Sequence, residues 1–196
     1  NLFEATASLN EELELSSALK VLAIDLLKIS DDFRLGSYFG EIILPTKQPG
    51  SSIMPGKINP VMCEMLNMAC FQVIGNDTAV TFACKGELQL NVFMPVVAYN
   101  LLNSIEILNN AINGFTEKCV KGINLNKSRI NENLGKNLSI VTILSPHIGY
   151  EKAAEVAKKA FHEGKTVKEV IIDMKLMSEK ELNKILDYRK MTSNKL

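Results

Sequence analysis

The sequence predicts an all-α protein, part of a long-helix bundle followed by a small C-terminal helical domain. Three observations carry that expectation. Apolar residues recur at spacings of three and four over long stretches up to about residue 122. Past Gly122 the segments shorten and open on clear helix-start signals. Strand–helix alternation and internal repeats are both missing from the sequence. The expected boundaries are 1–122 for the bundle part, with a distinctive loop at 48–60, and 123–196 for the small domain.

Taken in order, residues 5–33 place Leu13, Leu15, Leu19, Leu22, Leu26 and Ile29 on a broad apolar face, with Lys20, Asp25, Lys28 and Asp32 at polar positions. Gly36, Gly40, Pro45, Pro49 and Gly50 break that period, leaving Glu41–Leu44 as a short extended piece at best. Pro60 then opens a helix to about Asn76, at a first-turn position where its missing N–H costs little. Met62, Met65, Leu66, Met68, Phe71 and Val73 make this helix apolar nearly all round, which implies burial on most sides, in a bundle or an oligomer. A further run covers 77–84. Leu88 to Lys118 reads as another long helix, with Pro95 either kinking it or marking its first turn.

In the last part, Asn126 can cap a helix over 127–134, and Pro146 starts one over 147–163 that Gly164 ends. Thr166–Glu169 and Ser178–Glu181 are both S/T-x-x-E capping boxes that open short helices.

Composition narrows the class. The chain has 196 residues, 46% hydrophobic, with 22 Lys+Arg against 22 Asp+Glu. Zero net charge excludes a basic footprint for nucleic acid and an acidic tail. No apolar run approaches the roughly 20 residues of a membrane span. The chain opens on Asn1, with neither Met nor a charged-then-apolar leader, and so reads as a cytoplasmic piece of something longer. Cys63, Cys70, Cys84 and Cys119 form no C-x-x-C pair and have no His at zinc spacing, so they read as core cysteines in a reducing compartment. Cys63 and Cys70, seven apart in a helical pattern, share a face.

The segment Gln48–Pro60 carries the chemistry. Four of the six prolines fall within 45–60, and Gly50 and Gly56 flank Ser51 and Ser52. Such a stretch can be a rigid connector between helices. Its polar residues are nevertheless hydroxyls, one cation and one amide, with no carboxylate until Glu64. Lys57 and Asn59 can hold a carboxylate or phosphate beside the positive end of the following helix, while Ser51 and Ser52 ride on a glycine-hinged segment. This describes an anion site with a mobile hydroxyl, and does not choose between nucleophile and base. Glu64 alone reads as a solvated helix residue. His162 fits the last turn of a helix, and His147 a packing role at a helix start.

Gly-Ser-Ser-Ile-Met-Pro-Gly-Lys-Ile-Asn-Pro (50–60) resembles the signature loop of the fumarase/aspartase superfamily. Phe71–Asp77, Leu88–Val92 and Pro146–Tyr150 resemble further segments of its class II fumarases and aspartases, in the same order and across almost the whole chain. Asn1–Thr6, Phe71–Asp77 and Ser145–Tyr150 favour the aspartase branch, whereas Asn91–Phe93 and Glu151–Ala154 look more like fumarase. The resemblance implies reversible deamination of L-aspartate to fumarate and ammonia, with fumarate hydration to malate as the alternative. Ser51 would be the general base, and Ser52, Lys57 and Asn59 would bind substrate. Glu64 would orient a histidine contributed by another segment. No organic cofactor is implied, and activation by a divalent ion stays open.

The family builds each site from several subunits of a homotetramer, so this chain alone is expected to be inactive. Part of its apolar surface would then be interface. Between Arg34 and Glu41 the family carries a longer Ser-Gly-Pro-Arg loop; here the expectation is that residues have been left out. The region bearing the histidine partner of Glu64 is also missing. A reading of another class is a non-catalytic helical oligomerisation segment, whose loop merely connects helices.

Overall fold

A computed structural model describes residues 1–48, 50 and 52–188, which form two compact units, the second beginning at Lys127. In the first unit, α1 (Leu2–Ala7) is capped by Asn1, whose Oδ1 accepts from Phe3 N–H at 3.0 Å. Extended backbone at Ser8 separates it from α2 (Asn10–Tyr38), so the expected single helix over 5–33 is two. Helix α2 also runs beyond its expected end, through Gly36. Glycine costs up to about 1 kcal/mol in a helix, but a Cβ at Gly36 would lie 2.6 Å from Ile42 Cδ1. A side chain at 36 would press on Ile42 of the returning chain, whose Cδ1 would have to shift.

The end of α2 is a Schellman motif at Gly40, with φ at +74°. Gly40 N–H donates to Ser37 O at 3.0 Å and Glu41 N–H to Gly36 O at 2.9 Å.

Strand β1 (Ile42–Ile43) pairs antiparallel with β2 (Asn124–Leu125), Ile42 opposite Leu125. That pairing draws residues past Gly122 back onto the first unit, which is why the division falls after Asn126. Helix α3 (Val61–Cys84) is one continuous element, not a helix to Asn76 followed by a second run. The polar pair Asn76–Asp77 resembles a helix end in sequence, yet both side chains are spent sideways. Asn76 Nδ2 donates to Asn103 Oδ1 and Ser104 Oγ at 3.0 Å, while Asp77 accepts from Ser16 Oγ at 2.7 Å and Lys20 Nζ at 2.6 Å.

Helix α4 (Met94–Lys118) starts later than expected, with Pro95 in its first turn. Residues 88–93 form a connection, in which buried Asn91 donates to Ala83 O at 3.0 Å and accepts from Phe93 N–H at 2.8 Å. Helix α3 packs against both α2 and α4. Small residues line the seam, Ala23, Cys63, Cys70, Ala111 and Cys119, and Phe33 stacks on Phe115 at 5.9 Å. All four cysteines are free, and Cys63 and Cys70 share the buried face as expected. On the outer face of α3, Met68 and Phe71 remain 64% and 59% exposed within this chain. No helix among the described residues is long and apolar enough to cross a membrane.

The second unit contains α5 (Lys127–Lys136), α6 (Val141–Ile148), α7 (Tyr150–Glu163), α8 (Val167–Asp173) and α9 (Glu179–Ile185). Its core joins Leu144, Val156, Ala160, Val170, Ile171 and Leu182. Pro146 does not start α7; it lies inside α6, two residues before that helix ends. The reorientation comes from Gly149, at φ +83°, a backbone that a β-carbon disfavours. His147 consequently sits in the last turn of α6 and is exposed, which corrects the expected packing role at a helix start. Gly164 ends α7 in the left-handed region as expected, and both capping boxes are formed.

Candidate functional site

The loop between β1 and α3 is shaped by its glycines and prolines. Pro55 and Gly56 occupy the centre of a tight turn in which Lys57 N–H donates to Met54 O at 3.2 Å. Gly56 has φ +83° with no neighbour within 4 Å of a would-be Cβ, so backbone conformation, and not space, demands glycine. Pro at the second turn position and Gly with positive φ at the third is the type II pattern. The turn delivers Lys57 into solvent contact.

The base of the loop is cinched twice. Gly50 N–H donates to Lys57 O at 2.7 Å, and Asn59 Nδ2 donates to Gly50 O at 3.1 Å. A Cβ on Gly50 would stand 2.5 Å from Lys57 O, which leaves glycine as the residue that fits. One amide N–H of Asn59 is therefore committed to the loop itself, and this structural duty was not legible in the sequence.

Ser51, the expected base, lies outside the described residues. Ser52 is exposed on the loop. Glu64 sits in the first turn of α3, half-buried, and its backbone N–H donates to Pro60 O at 3.1 Å. Glu64 and Lys57 do not meet in one cavity. Glu64 lines a cleft of about 690 Å³ together with Asp31, Arg34, Ser37 and Tyr38 of α2. Lys57 lines a separate concavity of about 430 Å³ with Thr46, Lys47 and Gln48. Ile58 contributes to both, so the loop backbone at 58 is the partition between them.

The α2 wall of the first cleft was missed because the sequence reading ended that helix at 33. Asp31, Arg34 and Tyr38 are three and four apart, which puts them on one face once the helix extends to Tyr38. Asp31 Oδ1 accepts from Asn67 Nδ2 at 2.9 Å and from Arg34 Nη1 at a long 3.5 Å. Asn67 Oδ1 is buried without a hydrogen-bond partner.

Burial disfavours the thiolate form of the cysteines near this region. Burial pushes Cys63 up to about 11, with Cys119 beside it adding to the effect, and burial alone pushes Cys70 up to about 11. Among the described residues no group of three or more His, Cys, Asp or Glu is placed to hold a metal ion.

Comparison with known proteins gives consistent matches. The family described as "Lyase" matches residues 1–75, and "Fumarase C C-terminus" matches residues 140–193. Over 98% of its length the chain is 46% identical to an aspartate ammonia-lyase of a Bacillus species, covering 42% of that protein. Over 97% of its length it is 48% identical to a class II fumarate hydratase of Rickettsia felis, covering 43% of that protein. A crystal structure of class II fumarase from Schistosoma mansoni superimposes with a TM-score of 0.88 at 38% identity, over 94% of this chain and 40% of that one. The cobalt-bound fumarate lyase:delta crystallin of Brucella melitensis gives 0.89 at 43% identity, over 97% and 42%. The chain thus spans less than half the length of the relatives it matches.

Proposed function

The chain belongs to the fumarase/aspartase superfamily, and from that premise we propose that the whole protein is an aspartate ammonia-lyase, converting L-aspartate to fumarate and ammonium. The observation that supports this reading best is the doubly cinched loop, which holds Lys57 out beside a concavity that no carboxylate lines among the described residues.

The reaction removes a weakly acidic proton from the carbon next to a carboxylate. The electron pair passes into that carboxylate, giving an aci-carboxylate with extra negative charge on its oxygens. It then returns to form the carbon–carbon double bond as the C–N bond breaks and ammonia departs. Stabilising the intermediate's charge is the main demand on the site. In this reading Lys57, Asn59 and Ser52 hold the carboxylate whose charge grows, and Ser51 takes the proton. A serine hydroxyl serves as a base only where N–H groups and positive charge favour its alkoxide in a dry site. The glycine-hinged loop can supply that by closing over substrate. Glu64, in the neighbouring cleft, acts as a positioning residue for a histidine from another segment. The protein works as a homotetramer with sites shared between subunits, which would cover Met68 and Phe71 on α3. This chain alone is inactive in that reading.

The aspartase assignment rests on the Bacillus relative at 46% identity and on the Phe71–Asp77 segment. Class II fumarase is the second reading, favoured by the Rickettsia relative at 48% and by the match of residues 140–193 to a fumarase C-terminus. The two differ in the leaving group, ammonia or water, and share the loop chemistry. Ser51→Ala in the full-length protein tests the common mechanism: turnover should collapse, and survival at a near wild-type rate would show that Ser51 is not the base.

A further inference from the structure

We propose that Ser30 and Asp31 of α2 are positioning residues for Glu64, clamping the turn of α3 that carries it through the Cys63 backbone on one side and the Asn67 side chain on the other. The inference rests on the reading above, in which Glu64 orients a histidine from another segment, and extends it to the helix that holds Glu64 in place.

Two consecutive residues of α2 meet α3 here. Ser30, fully buried, donates from Oγ to the backbone oxygen of Cys63 at 3.0 Å, and Cys63 immediately precedes Glu64. Asp31 Oδ1 accepts from Asn67 Nδ2 at 2.9 Å, and Asn67 lies three residues after Glu64, on the same side of the helix. The two grips differ in kind. The bond from Ser30 holds backbone and so limits sliding of α3 along α2. The bond to Asp31 holds a side chain and so limits rotation of α3 about its axis. Residues 63–67 make one helical turn, so Glu64 starts from a point between two anchors. Asp31 and Glu64 also line the same cleft.

These bonds are not what packing alone would choose. Helices α2 and α3 run antiparallel, with Ala23, Leu66, Cys70 and Val73 buried along the middle of the seam. Among the described residues their side-chain hydrogen bonds sit at its ends, Ser16 and Lys20 with Asp77 at one, Ser30 and Asp31 with Cys63 and Asn67 at the other, next to the loop. The far end is fully satisfied, a donor on each oxygen of Asp77. The near end is not. Asn67 is 6% exposed, and its Oδ1 has no hydrogen-bond partner among the described residues. Leucine, of similar size, would leave no buried oxygen unpaired, so what the amide gains at 67 is its bond to Asp31. Asp31 itself does not need that bond, because its side chain is 54% exposed and water can solvate it. The bond therefore bears on the placement of α3 more than on the comfort of the carboxylate. Arg34, at 3.5 Å from Asp31 and itself exposed, is too loosely held to replace it.

The test uses the full-length protein, with steady-state kinetics on aspartate and malate measured beside thermal melting. Asn67→Leu should lower kcat about tenfold, short of the roughly hundredfold that a displacement of about 1 Å costs. Its KM should stay within about twofold, the pattern of an interaction that matters in the transition state. It should melt no lower than wild type, which a merely structural role would not allow. Ser30→Ala should act on kcat in the same sense. Asp31→Ala should match Asn67→Leu, and the double variant should be no slower than either, because both remove one bond. Asp31→Asn keeps the acceptor oxygen and should retain kcat within about twofold. Ser16→Ala, which loosens the far end of the seam, should lower the melting temperature and leave kcat unchanged. An unaffected kcat in Asn67→Leu or Ser30→Ala, with wild type active, overturns the clamp and leaves the reaction standing. Additive losses in the double variant, or no rescue by Asp31→Asn, overturn it equally. Full turnover in Glu64→Gln removes the residue through which the clamp acts, and overturns it as well. Wild type that turns over neither substrate overturns the reaction and the role of the clamp together.

Discussion

Gly50 and Lys57 stand face to face across the loop, Gly50 N–H donating to Lys57 O at 2.7 Å, with room for no β-carbon between them. Their contact fixes where the lysine ammonium begins its reach, and Asn59 closes the same ring from the other side by donating to Gly50 O. Gly50→Ala should therefore displace the loop while leaving the bundle intact. Misplacement of reacting groups by about 1 Å costs about a hundredfold in rate. In the full-length protein we expect kcat/KM to fall by that order with the melting temperature nearly unchanged. Asn59→Ala should also lower kcat, because in the proposed reading it removes a ligand of the carboxylate whose charge grows together with the bond that closes the loop.

Asp77 is a buried carboxylate of the bundle, its side chain 4% exposed, and it joins α3 to both Ser16 and Lys20 of α2. Asp77→Ala leaves a buried hydroxyl and an ammonium without their acceptor. Denaturant unfolding should show a loss of about 2–3 kcal/mol. Asp32→Ala, which breaks an exposed pair with Lys28 on α2, should cost well under 1 kcal/mol. Equal losses would mean that Asp77 is not the organising contact.

The small unit should be sensitive to acid through its two capping boxes. Thr166 N–H, donating at 2.8 Å, and the Thr166 hydroxyl hold the Glu169 carboxyl below its ordinary value. The Ser178 hydroxyl and then its backbone N–H do the same for Glu181. Because both are lowered in the folded state, their contribution is present above the ordinary carboxylate range and is lost as pH falls through the depressed values. Melting temperature measured downward from pH 6 should drop below about pH 4.5. Ser178→Ala should flatten part of that slope and cost about 1 kcal/mol at neutral pH.

At the alkaline end the sign reverses in cause. Burial raises Cys63 and Cys70 to about 11, so the folded state keeps protons that the unfolded chain releases near 9. Stability contributed by these thiols is complete below about pH 9 and falls away towards 11. Thiol reagent added to the native protein at pH 8 should leave both unmodified, and rapid labelling would contradict their placement in the seam between the helices.

How much of this was legible in the residues depends on where the information is local. The capping boxes at Thr166 and Ser178 and the helix stop at Gly164 are one-turn signals, and each stands where its chemistry placed it; of the two readings of Pro95, the first-turn one holds, in a helix that starts at Met94. The all-α class followed from periodicity in the same way. Gly36 misled because its reason is Ile42, a contact made only after the chain turns back. Asn76 and Asp77 misled because their partners lie on other helices. Pro146 was read as a helix start when the reorienting residue is Gly149. At the site, the loop motif named Lys57, Asn59 and Glu64. The separation of Lys57 from Glu64 into two concavities depends on the path of the backbone at Ile58, which no spacing rule reveals.

The central claim is the reaction itself, and one assay addresses it directly. The full-length protein is supplied with L-aspartate or L-malate, and the appearance of fumarate is followed by its absorbance. The account predicts fumarate from L-aspartate, with ammonium released in equal amount. Fumarate from L-malate alone would contradict it and make the protein a hydratase.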